Sequence, residues 1–389
     1  MRDTPTDAAE LATLQAYVDG SPALHDAVGA RRGSHLVLRP FAQGEYNVNY
    51  AFDVHEDQLA ENVPRTRRAA DGEDGGTAGE ATGTSPAGSV ISAGGSSGHY
   101  LLRVNKGSQM HLADQIGYEF AALRLLEPSG RTPRATFVDG SLARLPYGVL
   151  VEERLPGRPL RYETDLSAAA AVFADIHALP VARGCGLVTP EHPVADIFAE
   201  CRRMYAAYRA WPKADPEVAR RIDALVERGL DAAGRDEAHP EPKRRCIVNT
   251  EVNSSNFLMS DGGPCYLVDW EKPVLGEPEQ DLAHFLVPTT TFWKTDVVLG
   301  RPQMEEFVKD YRLAVNGRFD TSGLAARLQD YLAVTCLRGI TWCAMAYVEY
   351  SEPGRPLRNP HTFEKIRAYL EPGFLDALAR DRFGLQAGA

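Results

Sequence analysis

Apolar positions along the chain change period more than once. Over residues 1 to about 30 they recur at helical spacing. "HLVLRPFAQGEYNVNYAFDV" then alternates apolar and polar positions around a turn at Gln43 to Asn47, which predicts two strands. "HYLLRVNKG" repeats the strand pattern, "ADQIGYEFAALRLLE" predicts a helix, and "RATFVDG" and "YGVLVEERL" predict strands ending in the turn "PGRP". From Asp165 onward helical periodicity dominates, as in "SAAAAVFADIHAL" and "VARRIDALVERGLDAA". The main interruption is "CIVNTEVNSSNFLMSDGGPCYLVDWEKP", Cys246 to Pro273, which reads as strand-flanked turns. The pattern is that of an α+β chain in which a small β-rich lobe precedes a larger, mainly helical one.

Between Glu56 and Gly98 the chain runs into "GEDGGTAGEATGTSPAGSVISAGGSSG", too rich in Gly, Ser, Thr and Ala to pack a core. Because the strand pattern resumes directly afterwards, this reads as a disordered insertion, about residues 57–97, in a strand-to-strand connection. The expected organisation is a helical segment over 1–30, a β-rich N-lobe over 31–153 and a C-lobe over 154–389.

Composition narrows the functional classes. A chain of 389 residues that is 44% hydrophobic can bury a sizeable core and is long for one domain. A formal charge of -11 and a pI of about 5.5 argue against a general nucleic-acid or anionic-membrane binder. The six cysteines show no CxxC pair and no zinc-site spacing, as expected of free thiols in a reducing compartment. "MRDTPTDAAELATLQ" lacks a basic start followed by an apolar run. "YLAVTCLRGITWCAMAYVEY" carries Arg338 and Glu349 and reads as a core helix instead of a membrane span. A cytoplasmic protein is expected; oligomeric state is not legible.

The stretch from Cys246 to Pro273 gathers Glu251, Asn253, Asn256, Asp269 and Glu271, more carboxylates and carboxamides than a hairpin needs. Asn and Asp also cap turns, which is the plain structural alternative. The order of the pieces, from about Leu36 to Leu286, resembles the protein-kinase-like fold, specifically the aminoglycoside phosphotransferase and choline kinase group. That group carries a catalytic loop HxDxxxxN and a D-[WF]-E strand end, and "NTEVNSSN" and "DWE" stand at the matching places. The resemblance implies a bilobal fold and ATP-dependent phosphoryl transfer to a small-molecule hydroxyl, with Mg2+. It makes Asn256 and Asp269 the metal ligands and gives Asp281, in "EPEQDLAHF", the part of a brace for the loop.

The same resemblance extends to the N-lobe. "AQGEYNVNYAF" is similar to the group's phosphate loop, implicating Gly44, Tyr46 and Asn47, although Gly44 alone could be a hairpin glycine. Arg103 occupies the place of the kinase strand lysine, with Glu119 on the next helix as its ion-pair partner. The alternative for Arg103 is an edge-strand surface charge. "VLVEERLPGRPL" resembles the hinge, so backbone near Glu153 and Leu155 would meet adenine.

Two positions depart from the group. Asn249 stands where His is usual and Glu251 where the catalytic Asp is usual. A general base must reach the substrate hydroxyl, and one extra methylene moves the carboxylate by about 1.5 Å. The favoured expectation is an active enzyme whose loop is rebuilt around Glu251, with Asn249 supplying hydrogen bonds in place of His. A nucleotide-binding pseudokinase and a kinase-fold nucleotidyl transferase are the alternatives. His177 and the aromatics Trp342, Tyr347 and Tyr350 read as packing residues, the latter also as candidates to enclose an acceptor.

Overall fold

The computed structural model describes residues 8–44, 46–60, 98–108, 110–182, 184–238, 244–352 and 360–383, in two compact units. Most of the expected insertion, residues 61–97, lies outside the described residues. Its expected first residues do not: Glu56–Gln58 forms a 3-10 turn and Leu59 bridges Ala30, so regular backbone runs past position 57.

The first unit comprises Met1–Ser108 and Arg134–Arg154. Helices α1 (Ala8–Asp19) and α2 (Pro22–Ala27) precede strands β1 (Arg39–Gln43), β2 (Asn47–Asp53), β3 (His99–Asn105), β4 (Ala135–Asp139) and β5 (Val149–Glu153). The strands form an antiparallel sheet in the order β1-β2-β3-β5-β4. Alternation sends Tyr100, Leu102 and Val104 of β3 into one cluster with Tyr50 and Phe52 of β2, and Leu14, Tyr17 and Leu24 of the helices cover it. Tyr17 also ties α1 to the end of β4, donating to Asp139 Oδ2 at 2.6 Å.

The second unit comprises Gln109–Pro133 and Leu155–Ala389. It contains α3 (Gln115–Leu126), α4 (Leu166–His177), α5 (Pro193–Arg209) and α6 (Pro216–Glu237), then β6 (Cys246–Val248), β7 (Phe257–Leu258), β8 (Tyr266–Leu267) and β9 (Val274–Gly276). Helices α7 (Pro278–Leu286), α8 (Pro288–Lys294), α9 (Arg301–Val315), α10 (Leu324–Ser351), α11 (Pro360–Leu370) and α12 (Pro372–Phe383) complete it. The 28-residue α10 is long and apolar enough to cross a membrane, yet it packs against α5, α6, α7 and α11 and buries most of its apolar residues. Close packing is built in at Gly339, where a Cβ would stand 2.5 Å from Thr289 Cβ.

Two short antiparallel pairs frame the Cys246–Pro273 stretch. β6 pairs with β9, Val248 opposite Val274, and β7 pairs with β8, Phe257 opposite Leu267. The "PGRP" turn lies against β7: Arg158 bridges Met259, and Gly157, at φ 149°, has its Cα where a side chain would meet the Leu258 backbone at 2.8 Å. Only glycine fits there. Below the stretch, buried Arg327 of α10 donates to Asp236 at 2.6 Å and to Glu277 at 2.8 Å. Asp236 in turn accepts the N–H groups of Val194 and Ala195 at the start of α5.

Candidate active site

The loop after β6 is held from below by one carboxylate. Asp281, fully buried in the first turn of α7, accepts the backbone N–H groups of Asn249 and Thr250, both at 2.8 Å. His177 Nε2 lies 3.4 Å from the same carboxylate, and its Nδ1 lies 2.9 Å from the Tyr311 hydroxyl. His177 therefore packs, as its apolar helix face suggested, and also steadies Asp281. Thr250 adopts φ 72°, an unusual conformation for a β-branched residue. The strain, about 1–3 kcal/mol for such positions, persists because its N–H is held by Asp281 and its Oγ1 donates to the Lys272 carbonyl at 3.1 Å.

Asn249 couples this loop to the strand end that follows β8. Its Nδ2 donates to the Asp269 carbonyl at 2.8 Å, and its Oδ1 accepts the Glu251 N–H at 3.3 Å. A carboxamide does both jobs because it carries donor and acceptor on one planar group. Further along, the Val268 N–H donates to the Asn256 carbonyl at 2.8 Å, which continues the β7–β8 ladder and sets Asn256 and Asp269 at the same end of that hairpin. Asn256 is buried, whereas Asp269 is exposed and takes φ 67°. Among the described residues no cluster of three or more His, Cys, Asp or Glu could hold a metal by itself. A carboxylate and a carboxamide together suit Mg2+, a hard cation that keeps waters and takes phosphate oxygens as its remaining ligands.

Glu251 does not stand open. Lys272 Nζ donates to its Oε1, and Arg338 Nη2 lies 3.6 Å from the same oxygen. Arg338 is itself clasped by Glu200, through Nε at 2.9 Å and Nη2 at 3.3 Å. The four residues form a chain of alternating charge. Burial pushes the Glu251 carboxyl up, but the Lys272 and Arg338 charges and the Lys272 hydrogen bond outweigh it and hold the carboxyl below its usual range. Lys272, Arg338 and Glu200 line a cavity of about 210 Å3 that also takes in Thr250, His284 and Thr335. None of Lys272, Arg338 or Glu200 was marked from the sequence. For Lys272 a signal existed, since it directly follows "DWE"; Arg338 and Glu200 sit on α10 and α5, and only the fold brings them to the loop.

In the first unit, Asn47 is buried and accepts from Asn105 Nδ2 at 2.9 Å across the β2–β3 ends. Tyr46 is half-buried, and its carbonyl accepts the Lys106 N–H at 2.7 Å. The Gly44 N–H donates to the Asn47 carbonyl at 2.8 Å, so that amide is committed inside the turn. A Cβ at Gly44 would meet its nearest atom only at 3.6 Å, so the turn by itself does not demand glycine. Arg103 is 5% exposed on β3, an inner strand paired with β2 and β5, which removes the reading of an edge-strand surface charge. The N–H groups of Glu153 and Arg154 donate to the carbonyls of Arg134 and His99, each at 3.0 Å. Any hinge contact from these two residues would therefore use carbonyls.

The remaining candidates lie in the second unit. Glu119 is buried on α3 and accepts from Gln115 Nε2 at 3.1 Å; Leu155 is half-buried just before the "PGRP" turn. The late aromatics pack on neighbouring helices: Trp342 meets Trp293 edge-on at 5.3 Å, and Tyr347 and Tyr350 both contact Phe363 of α11. They do not line the cavity beside Lys272 and Arg338.

The sequence signature of the phosphotransferase enzyme family matches residues 85–326, more than half of the chain. The chain belongs to that phosphotransferase family. It is an ATP-dependent phosphotransferase that acts on small-molecule hydroxyls. The phosphotransferase fold of this chain is similar to that of spectinomycin phosphotransferase in complex with ADP and spectinomycin, at 13% identity, over 98% of this chain and 100% of that one, with a TM-score of 0.58. It is also similar to a putative aminoglycoside phosphotransferase from Ralstonia eutropha, at 12% identity over 94% and 96% of the two chains, TM-score 0.55. A third similar structure is Plasmodium vivax ethanolamine kinase, at 11% identity over 86% and 82%, TM-score 0.52. At these identities the likeness is one of fold. No curated protein matches the chain by sequence.

Proposed function

We propose that the loop Asn249–Asn256 and the strand end at Asp269 carry the transfer, with Glu251 as the proton acceptor. Asn256 and Asp269 would hold Mg2+, which when bound neutralises phosphate charge and keeps the reacting groups in line. The acceptor hydroxyl oxygen bonds the γ-phosphorus, its proton passes to Glu251, and the bond to ADP breaks. Asn249 and Asp281 act as positioning residues. Arg103 and the backbone of the Gly44–Asn47 turn are the proposed phosphate contacts, Glu119 the ion-pair partner of Arg103, and backbone at Glu153 and Leu155 the adenine contact.

The observation that supports this reading best is the double hydrogen bond of Asn249, to the Glu251 N–H and the Asp269 carbonyl. It gives the backbone of the proposed base and the backbone of a proposed metal ligand one common side-chain partner, which favours a fixed spacing between them. A cytoplasmic location is part of the proposal; it accords with six free cysteines, of which five are buried. The experiment is a thermal-shift titration with ATP in the presence and absence of Mg2+. Stabilisation should require the metal and should be lost in Asp269→Ala; equal stabilisation without metal, unchanged in that variant, removes the assignment of Asp269 and Asn256.

A further inference from the structure

The charge of the cavity beside Glu251 bears on what the acceptor is. Its wall presents Lys272 and Arg338, and the two nearby carboxylates, Glu200 and Glu251, are already their counter-ions. Among the described residues Arg338 Nη1 makes no hydrogen bond, because Glu200 takes only Nε and Nη2. Lys272 Nζ has three donors and gives one to Glu251 and none to another side chain. Spare cationic donors thus point to an anion. His284 completes the wall: its ring lies against the Val252 carbonyl, Nδ1 to O 2.8 Å, which fixes the proton on Nδ1 and leaves Nε2 as an acceptor. Burial lowers its affinity for a second proton, so the imidazole adds no positive charge but can accept from a hydroxyl. An ammonium group placed here would face two cations whose counter-charges are already taken.

We propose that the acceptor is a small hydroxy compound bearing one anionic group, which Lys272 and Arg338 hold. The inference rests on the phosphotransferase reading of the same site. When the anion takes up Lys272, the Glu251 carboxylate is released from its ion pair and is open to the acceptor hydroxyl. Recognition of the charge and exposure of the base become one event, and a neutral or cationic alcohol leaves Glu251 capped. The size agrees: about 210 Å3 holds about seven waters at ~30 Å3 each, room for a compact molecule.

A set of probes on one carbon skeleton tests this: glycerate, glycerol 3-phosphate, glycerol and 3-aminopropane-1,2-diol, each titrated into the full chain with Mg2+ and ADP and followed by calorimetry. At least one anionic probe should bind about tenfold or more tighter than glycerol, and the amine should bind more weakly than glycerol. Preference for glycerate identifies a carboxylate and preference for glycerol 3-phosphate a phosphate. Lys272→Gln should erase the preference; Arg338→Lys, which keeps a charge for Glu200 but loses the spare donor, should reduce it if the first variant does not fold. Equal or absent binding of all four, or the amine binding best, overturns the inference. ADP with Mg2+ is titrated first: failure at that step counts against the nucleotide and metal assignment, whereas success there followed by a preference for the amine counts against the anionic acceptor alone.

Discussion

Lys272, from the segment between β8 and β9, donates to the carboxylate of Glu251, whose loop is held at Asn249 by Asp281 of α7 and by the Asp269 carbonyl. The lysine stabilises the ionised carboxylate, so Glu251 stays deprotonated to lower pH than a free glutamate and is a weaker base than one. Lys272→Met removes the largest of the influences that lower the Glu251 carboxyl and leaves burial less opposed. The acid limb of the kcat/KM profile should therefore move to higher pH in that variant. A pH–rate profile of the two proteins, with the same acceptor, measures the displacement; an unmoved acid limb would detach Lys272 from the base.

Asp281 accepts two backbone N–H groups, one on each carboxylate oxygen. Asp281→Asn must turn an amide towards one of them, at a cost of about 2 kcal/mol for losing a charge-assisted bond. Urea unfolding should show that loss. Turnover should fall further than nucleotide affinity, because the loop that presents Glu251 is loosened while Asp269 is not touched by the substitution.

Much of this was legible in the chain before the fold. The strand alternation in "HYLLRVNKG" and "YGVLVEERL" and the helical period of "SAAAAVFADIHAL" correspond to β3, β5 and α4, because one-sided burial imposes a period that the residues themselves carry. The loop residues stood out in the sequence through the resemblance of "NTEVNSSN" and "DWE" to a family pattern, since turn chemistry alone would also place Asn and Asp there. What could not be read is what arrives from a distance. Arg338 belongs to a helix whose spacing speaks only of packing, and its reach to Glu251 follows from α10 lying against α5 and α7. Likewise the committed N–H of Gly44 depends on the turn conformation, which the letters "QGEYN" leave open.

Glu279, two residues before Asp281, is raised by burial, with Glu277 adding to the effect, to about 7. Its ordinary value is 4.5, so the folded protein keeps a proton that the unfolded chain has already released. Stability from this group is complete below pH ~4.5 and is lost as pH rises through ~7, by on the order of 3 kcal/mol. Glu279→Gln should flatten the decline, so that its melting temperature exceeds that of the unsubstituted protein at pH 8 by more than at pH 5. Parallel melting curves across that range would rule the linkage out.

The central claim is that Glu251 accepts the hydroxyl proton in a working phosphotransferase. Its most direct test is the turnover of Glu251→Gln beside the unsubstituted protein, on one acceptor with ATP and Mg2+, with the product identified by mass spectrometry and nucleotide affinity measured on both proteins. The account predicts a phosphorylated product whose formation slows by about two to four orders of magnitude in Glu251→Gln, while affinity for the nucleotide holds. Phosphorylated product formed at an unchanged rate by the variant would contradict it.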